Sequence, residues 1–500
     1  MATLSFEPLS YDEIPDDERP TLVQALVPVV GMLAFLSIGA IGLGLDAHMP
    51  LLWGIVLTGL VGRYWIGISW DRMYEGIVDG LRMGMQAILI IFIIYLLIAT
   101  WTGSGTIPAL IYYGLDILNP QIFLPATALL AAVVAFAIGS SWTTAGTLGV
   151  AFIGIGAGLG VPEQMTAGAV LTGAYTGDKI SPLSDTTNLA AAVTNTDLMT
   201  HVRTMRVGTS IAMAISLVLY AYIGLNAAGS IPAESVGGIQ SAIAGTYNLT
   251  PLVFLPLLIT FGLALSGFPA LPALGAGIFA GVFTQFFLQG ALTVDNFIAA
   301  WEVPMYGTSP ETGSELVNGL LSSGGAVGDS AWTIIIVVAA LSLGGILERT
   351  GIIAVLTHHL SKAITSVAGL TIGTAASALG MNILAAEQYM SIVVPGMSLR
   401  GLYDDFDLES RNLSRGIEAA GTTTSALIPW NAGAIYMTGV FGVAPFAGSW
   451  GLQGYGPYYF LGFLSPLILV TMGLTGWRIT KKSADTTAGI KGAISSIGDD

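Results

Sequence analysis

Long uninterrupted apolar segments are the feature that most constrains how this chain can fold. One of them reads AILIIFIIYLLIATW, and similar segments recur along the 500 residues, of which 53% are hydrophobic and only 9% charged. A soluble protein carries about a quarter charged residues, so most of this surface does not face water. Continuous apolar segments predict membrane helices rather than the short alternating strands of a barrel. We therefore expect an all-α polytopic membrane protein.

The positions of lysine and arginine predict the orientation of these helices, because basic residues favour cytoplasmic connections. Arg63 and Arg82 lie between the second and third apolar segments, and Lys481 follows the last one. The long connections 227–249 and 289–330 contain neither residue type. We expect both connections to be external. Both termini are then cytoplasmic, and the chain is a multi-pass protein of the plasma membrane.

The two halves of the sequence resemble each other at several points in the same order. The segment TGDKISPLSD is similar to AGTTTSALIP, and AIGSSWTTAG is similar to ALGMNILAAE. The charge pattern makes matching helices run in opposite directions, so we predict two inverted-topology repeats, an arrangement typical of secondary transporters. The predicted organisation is an acidic N-terminal tail 1–21, a first repeat 22–226, an external linker 227–249, a second repeat 250–476 and a C-terminal tail 477–500.

A polar segment, TGDKISPLSDTTNL, interrupts the first half between two apolar runs. Pro182 lacks a backbone N–H and pushes Ser181 before it towards an extended conformation, while Gly177 loosens the backbone. The segment therefore predicts a discontinuous helix, which is tolerated at membrane depth only where it is buried in protein or lines a wet cavity. Re-entrant hairpins or half-helices are predicted for the short apolar segments near 105–117, 164–176 and 387–397.

Asp178 and Asp185 are the candidate functional acids of this break. Hydroxyl and amide groups surround them, and hard cations such as Na⁺ prefer oxygen ligands. A carboxylate shielded from water can also take up a proton near neutral pH, so one group can hold Na⁺ or H⁺ in turn. Lys179 is a candidate counter-charge. The alternative is a cytoplasmic loop with an ordinary helix cap.

The second half repeats the break without its acids. The segment GIEAAGTTTSALIPWNAG contains Thr423, Ser425 and Asn431 between apolar runs. Glu387 lies at another junction of apolar runs, and an ionisable residue within a span is costly enough to be a functional candidate by default. We expect these four residues to contribute to the same pathway.

Several of these segments resemble the NhaC family of Na⁺/H⁺ antiporters. GAYTGDKISPLSDTTNLAAAVTNTDLMTHVRTM resembles its signature region, and EQYMSIVVPG and NLSRGIEAAGTTTSALIPWNAG resemble later signatures. The resemblance implies an ion-transporter fold, with Na⁺ at Asp178, Asp185 and Asn188. The chain departs from the family pattern after Glu418, where the second acid is replaced by Ala419. The ion-site candidates implied by the resemblance are Asp178, Ser181, Asp185, Thr187, Asn188, Thr423, Ser425 and Asn431.

The hypothesis is a secondary antiporter that exchanges Na⁺ for H⁺ by alternating access. The alternative within the family is an antiporter of organic anions or amino acids, of the malate/lactate or arginine/ornithine type. A channel is a third reading. An enzyme is not expected, because Gly177–Asp178 lacks the second glycine of an intramembrane aspartyl protease and no hydrolase motif is present. We expect no cofactor and no nucleic-acid partner. The expected partners are Na⁺, H⁺ and the lipid bilayer, and the expected assembly is a homodimer.

Overall fold

The computed structural model describes residues 8–43, 47–227, 233–448 and 451–482, and these ranges contain helices and isolated bridges but no β-strand. The ends of both predicted tails and residues 228–232 of the predicted linker lie outside the described residues. The helices of the first half are α1 Leu22–Leu36, α2 His48–Val61, α3 Trp70–Gly103, α4 Thr106–Ile117, α5 Pro120–Ile138, α6 Ser141–Thr144, α7 Val150–Gly158, α8 Glu163–Ile180, α9 Asp185–Val193 and α10 Leu198–Ala227.

The remaining helices include some within both connections that lack basic residues. They are α11 Ala233–Thr246, α12 Leu255–Leu265, α13 Ala270–Leu288, α14 Val294–Tyr306, α15 Glu315–Leu320, α16 Ala331–Arg349, α17 Ile352–Lys362, α18 Val367–Leu384, α19 Gln388–Ser398, α20 Arg400–Asp405, α21 Ser410–Ile417, α22 Ala432–Phe441 and α23 Phe460–Thr475. Two π-helical stretches matter for the site: Ala145–Gly149 joins α6 to α7, and Glu418–Thr422 continues α21.

Eight helices among the described residues are long and apolar enough to cross a membrane, or nine if the bent pair Val236–Thr246 and Pro251–Leu265 forms one span. The predicted all-α polytopic class is therefore confirmed. The longest is α3, which has 34 residues. The first turns of α3 are polar, so the helix begins before the apolar segment that the sequence predicts to span the membrane.

Four helix starts in the first half recur in the second half with a constant spacing. α5, α6, α8 and α9 begin at residues 120, 141, 163 and 185, and α18, α19, α21 and α22 begin at 367, 388, 410 and 432. Every matched pair is therefore 247 positions apart. The residues that cap the matched helices also correspond, since Ser140 and Glu387 precede α6 and α19, and Ser184 and Asn431 precede α9 and α22. Each half thus contains two broken helices of the same layout.

Glycine allows α8 to lie directly against α5. A side-chain carbon at Gly177 would lie 2.1 Å from the carbonyl oxygen of Ala132, and one at Gly173 would lie 2.0 Å from that of Ala128. Real carbon atoms do not approach an oxygen this closely, so both positions require glycine. The contact fixes the depth at which α8 presents Asp178, one residue after Gly177.

Replacing Gly177 with valine is therefore expected to lower the melting temperature of the purified protein in detergent. The overpacked interface should cost about 1–3 kcal/mol. The matched control is Gly275→Val on α13, where nothing lies within 4 Å of the added carbon. Equal melting temperatures for the two variants would show that the close contact between α5 and α8 is not required.

Candidate cation-binding site

The first break lies between α8 and α9, as the sequence predicts. α8 ends at Ile180, Ser181 has an extended backbone, and Asp185 is the first residue of α9. Ser184 caps α9, because its hydroxyl accepts a hydrogen bond from the backbone N–H of Thr187 at 3.3 Å. The N-terminus of a helix carries a partial positive charge that stabilises a carboxylate there. The break therefore places Asp185 where its negative charge is favoured.

Asp178 is 2% exposed and lies one turn before the break. Its Oδ2 accepts a hydrogen bond of 2.7 Å from the hydroxyl of Ser141, at the start of α6. Its Oδ1 is buried and accepts no hydrogen bond from any described residue. A buried carboxylate oxygen without a donor is costly unless a ligand or a proton satisfies it. Asp178 therefore has the chemistry of a cation or proton site.

Asp178 and Asp185 line the same small cavity, whose volume is about 10 Å³. A cavity of this size holds about one water-sized particle. The remaining lining consists of residues from α3, α6, α19 and the segment before α6: Ala87, Ile90, Ser140, Ser141, Trp142, Gln388 and Tyr389. The structure thus places both candidate acids at one cavity.

Asp185 is half-buried and held by donors from three places in the chain. Its Oδ2 accepts from the hydroxyl of Tyr389 at 2.5 Å and from Nε2 of Gln86 at 3.2 Å, and its Oδ1 accepts from the N–H of Thr186 at 2.8 Å. Tyr389 belongs to the second half of the chain, on α19. The cavity is therefore built by broken helices from both halves.

The second break reaches the cavity through Gln388. The hydroxyl of Ser425 donates to Oε1 of Gln388 at 3.3 Å and lies 3.4 Å from the hydroxyl of Tyr175. Asn431 caps α22 and donates to the carbonyl of Asn382 at 3.1 Å. Ser425 thus contacts a cavity residue, whereas Asn431 holds the second break together, and neither lines the cavity.

Other predicted site residues direct their polar groups to the backbone. The hydroxyls of Ser181, Thr187 and Thr423 donate to carbonyl oxygens of Phe136, Asp178 and Ala419, at 2.8, 3.3 and 2.7 Å. The amide of Asn188 donates to the carbonyls of Pro182 and Ser184, at 3.0 and 2.6 Å. These four residues shape the breaks, and the cavity lining includes none of them.

Glu387 and Lys179 are both fully buried next to the cavity residues. Glu387 caps α19 by accepting from the backbone N–H groups of Tyr389 and Met390, and its Oε1 has no hydrogen-bond partner among the described residues. Lys179 donates from Nζ to the hydroxyl of Ser465 on α23, at 2.8 Å. Lys179 also interacts electrostatically with Glu418 and with Asp178.

Glu418 belongs to this cluster, although it is not among the site residues predicted from the sequence. It is fully buried, its Oε1 accepts from the hydroxyl of Thr186 at 3.2 Å, and its Oε2 has no hydrogen-bond partner among the described residues. It also interacts electrostatically with Lys179. The signal that could have identified it is a single acid inside the apolar segment GIEAAG.

Tyr389 orients Asp185, so Tyr389→Phe is expected to weaken cation binding selectively. A hydrogen bond to a charged group contributes about 1.5–3 kcal/mol, so the KM for Na⁺ should rise at least about tenfold with little change in kcat. Without this donor, Asp185 holds H⁺ more tightly. Because H⁺ competes with Na⁺, the increase in the KM for Na⁺ should be larger at acidic pH. The control is Tyr403→Phe on α20, which loses a hydroxyl contact to Thr374 outside the cavity lining. An unchanged KM for Tyr389→Phe would remove this role.

The site offers two carboxylates and neutral oxygens rather than a dense cluster of ligands. Among the described residues, no group of three or more His, Cys, Asp or Glu side chains is placed to hold a metal ion.

A bundle of membrane helices with paired breaks around shielded carboxylates is typical of a transport protein. The model of the Na⁺/H⁺ antiporter family matches residues 20–187 and 173–477. The chain therefore belongs to the Na⁺/H⁺ antiporter family, which confirms the predicted resemblance and the predicted class of secondary transporter rather than enzyme.

The names of individual relatives give different transported substrates. The arginine/ornithine antiporter ArcD of Halobacterium salinarum is 51% identical over 496 residues, covering 97% of this chain and 100% of the relative. The Na⁺/H⁺ antiporter NhaC of Alkalihalophilus pseudofirmus is 34% identical over 468 residues, covering 94% and 98%. The malate-2H⁺/Na⁺-lactate antiporter of Bacillus subtilis is 33% identical over 464 residues, covering 92% and 96%.

Proposed function

We propose that this protein exchanges Na⁺ for H⁺ across the plasma membrane by alternating access. The observation that carries the proposal is that Asp178, buried and with an unpartnered Oδ1, shares a cavity of about 10 Å³ with Asp185. A cavity that holds about one water-sized particle suits a dehydrated Na⁺. Family membership and the NhaC relative support the same reading.

In this mechanism Na⁺ and H⁺ compete for one pair of carboxylates. Na⁺ bound between Asp178 and Asp185 displaces the proton that the pair holds, and protonation from the other side releases Na⁺. Ser141, Tyr389 and Gln388 would orient the acids and supply neutral oxygens. Because either ligand is held only when the other is absent, each crossing in one direction carries Na⁺ and each return carries H⁺.

The proposed architecture has two inverted repeats with both termini in the cytoplasm. The constant spacing of 247 positions between matched helix starts supports two related halves, and the distribution of basic residues supports their opposite orientation. The boundaries at 22–226 and 250–476, and a homodimeric assembly, remain part of this proposal.

A second candidate is exchange of arginine for ornithine, which the 51% identical relative favours. Both amino acids carry a cationic side chain, so buried carboxylates could serve them as well. The cavity between Asp178 and Asp185 is too small for either amino acid in this conformation. This candidate therefore requires the broken helices to separate when the substrate enters.

Transport by the purified protein in proteoliposomes distinguishes the two candidates. With a pH-sensitive dye in the lumen, external Na⁺ should make the lumen more alkaline, whereas choline should not. Labelled arginine should not enter vesicles preloaded with ornithine. Arginine uptake driven by ornithine, with no Na⁺-dependent pH change, would replace the Na⁺/H⁺ proposal with the amino-acid exchanger.

A further inference from the structure

A second cavity, which we call the outer cavity, lies in the half of the molecule that the sequence predicts to be external. Its volume is about 460 Å³. It is lined by Ile98 and Thr102 of α3, Ile153 of α7 and Val440 of α22, among others. Its lining among the described residues includes three carboxylates and no Lys, Arg or His; the carboxylates are Glu163, Glu315 and Asp329.

Three helices connect the outer cavity with the cation cavity. On α3, Ile90 lines the cation cavity and Ile98 lines the outer one, which a rise of 1.5 Å per residue separates by about 12 Å. The helix that starts with α6 presents Trp142 to the cation cavity and, after its π-helical stretch, Ile153 to the outer one. α22 runs from its cap next to the second break to the outer cavity at Val440. The two cavities therefore lie along the same helices.

Aromatic side chains fill the space between the two cavities. The ring of Tyr436 stacks on that of Trp142 at 4.7 Å, and its hydroxyl donates to the carbonyl of Trp142 at 2.9 Å. The hydroxyls of Tyr95 and Thr333 are 3.1 Å apart, which joins α3 to α16. Tyr95, Tyr436 and Trp142 are all buried.

Glycines make room for both tyrosine hydroxyls. A side-chain carbon at Gly439 would lie 1.8 Å from the Tyr95 hydroxyl, and one at Gly146 would lie 2.3 Å from the Tyr436 hydroxyl. Each tyrosine thus crosses the neighbouring helix at a position where any larger residue would collide with it. Among the described residues, two polar contacts and one ring stack join these side chains between the two cavities, and small helix movements can break them.

We propose that Tyr95–Thr333 and Tyr436–Trp142 form the closed outer gate of the transport path, and that the outer cavity is the vestibule from which hydrated monovalent cations reach Asp178 and Asp185. The vestibule carboxylates raise the local concentration of cations, since a cleft lined by one sign of charge attracts the opposite sign. The inference rests on the proposed function, in which cations cross the membrane by this site.

Thiol labelling tests the gate without measuring transport. The chain contains no cysteine, so each introduced cysteine is the one thiol that reacts. Val440→Cys reports on the outer cavity and Ile90→Cys on the cation cavity. With a membrane-impermeant, positively charged thiol reagent outside intact cells, Val440→Cys should be labelled readily and Ile90→Cys protected. Adding Tyr95→Phe, which removes the contact to Thr333, should speed labelling of Ile90→Cys about fivefold, because a hydrogen bond contributes about 1 kcal/mol.

The charge of the reagent tests the vestibule. A cationic reagent should label Val440→Cys at least about tenfold faster than an anionic one of similar size, and Glu163→Gln with Glu315→Gln should reduce this preference. Equal labelling of Ile90→Cys and Val440→Cys with the gate intact, no effect of Tyr95→Phe, or no preference for the cationic reagent would overturn the proposal. The expected labelling pattern would support the gate even if Na⁺ failed to move protons in proteoliposomes. That second result would reject Na⁺/H⁺ exchange as the function.

Discussion

Asp178→Asn is expected to abolish Na⁺-dependent proton movement in proteoliposomes, with a loss of at least about 100-fold, as when a preorganised charge contact is removed from a water-excluded site. Asparagine has nearly the same shape and can still accept from the hydroxyl of Ser141, which contacts Asp178 at 2.7 Å. It cannot carry a negative charge or take up a proton under these conditions. The variant should therefore insert and fold while losing both ligands of the exchange.

The control for this change is Asp116→Asn. Asp116 is exposed at the end of α4 and accepts a hydrogen bond from Gln240 at 2.8 Å. The same chemical substitution there should leave the exchange rate near that of the native protein. Gel filtration in detergent must give the same profile for both variants. Normal exchange by correctly folded Asp178→Asn would remove Asp178 from the mechanism.

Asp185→Asn is expected to raise the KM for Na⁺ by about 30-fold or more, with residual exchange at high Na⁺. Asp185 is half-buried and already accepts from Tyr389, Gln86 and Thr186, so its charge is better compensated than that of Asp178. Removing the charge of Asp185 should weaken Na⁺ binding by about 2 kcal/mol or more. Asp178 would still attract the cation.

The double variant Asp178→Asn, Asp185→Asn provides the sharper comparison. Residues that hold one ion act as a unit, so their effects are not additive. The double variant should exchange Na⁺ no more slowly than Asp178→Asn alone. Losses that multiply in the double variant would mean that the two acids serve separate steps rather than one cation.

The sequence predicts the breaks well because their causes are local. Pro182 and the preceding Ser181 end α8 by backbone geometry alone, and the acids within the break stand out against a chain with 9% charged residues. The class of fold follows from the apolar segments for the same reason. These are properties of neighbouring residues, which a single sequence displays directly.

The partners of the acids are less accessible to prediction because they are distant in sequence. Tyr389 contacts Asp185 across 204 positions, and Ser141 contacts Asp178 across 37. The sequence also does not show where each hydroxyl of a polar segment donates its hydrogen bond. The hydroxyl of Thr423 donates to the carbonyl four residues earlier in its own helix, as hydroxyls within helices commonly do, and composition does not reveal this choice.

The most direct test of the account is proton release when Na⁺ binds to the purified protein in weakly buffered detergent solution. We expect Na⁺, but not choline, to release H⁺ from the native protein, and labelled Na⁺ to bind less well as the pH falls. The double variant Asp178→Asn, Asp185→Asn should neither bind Na⁺ nor release H⁺. Release from the double variant equal to that from the native protein would contradict the claim that this pair of acids is where Na⁺ and H⁺ compete.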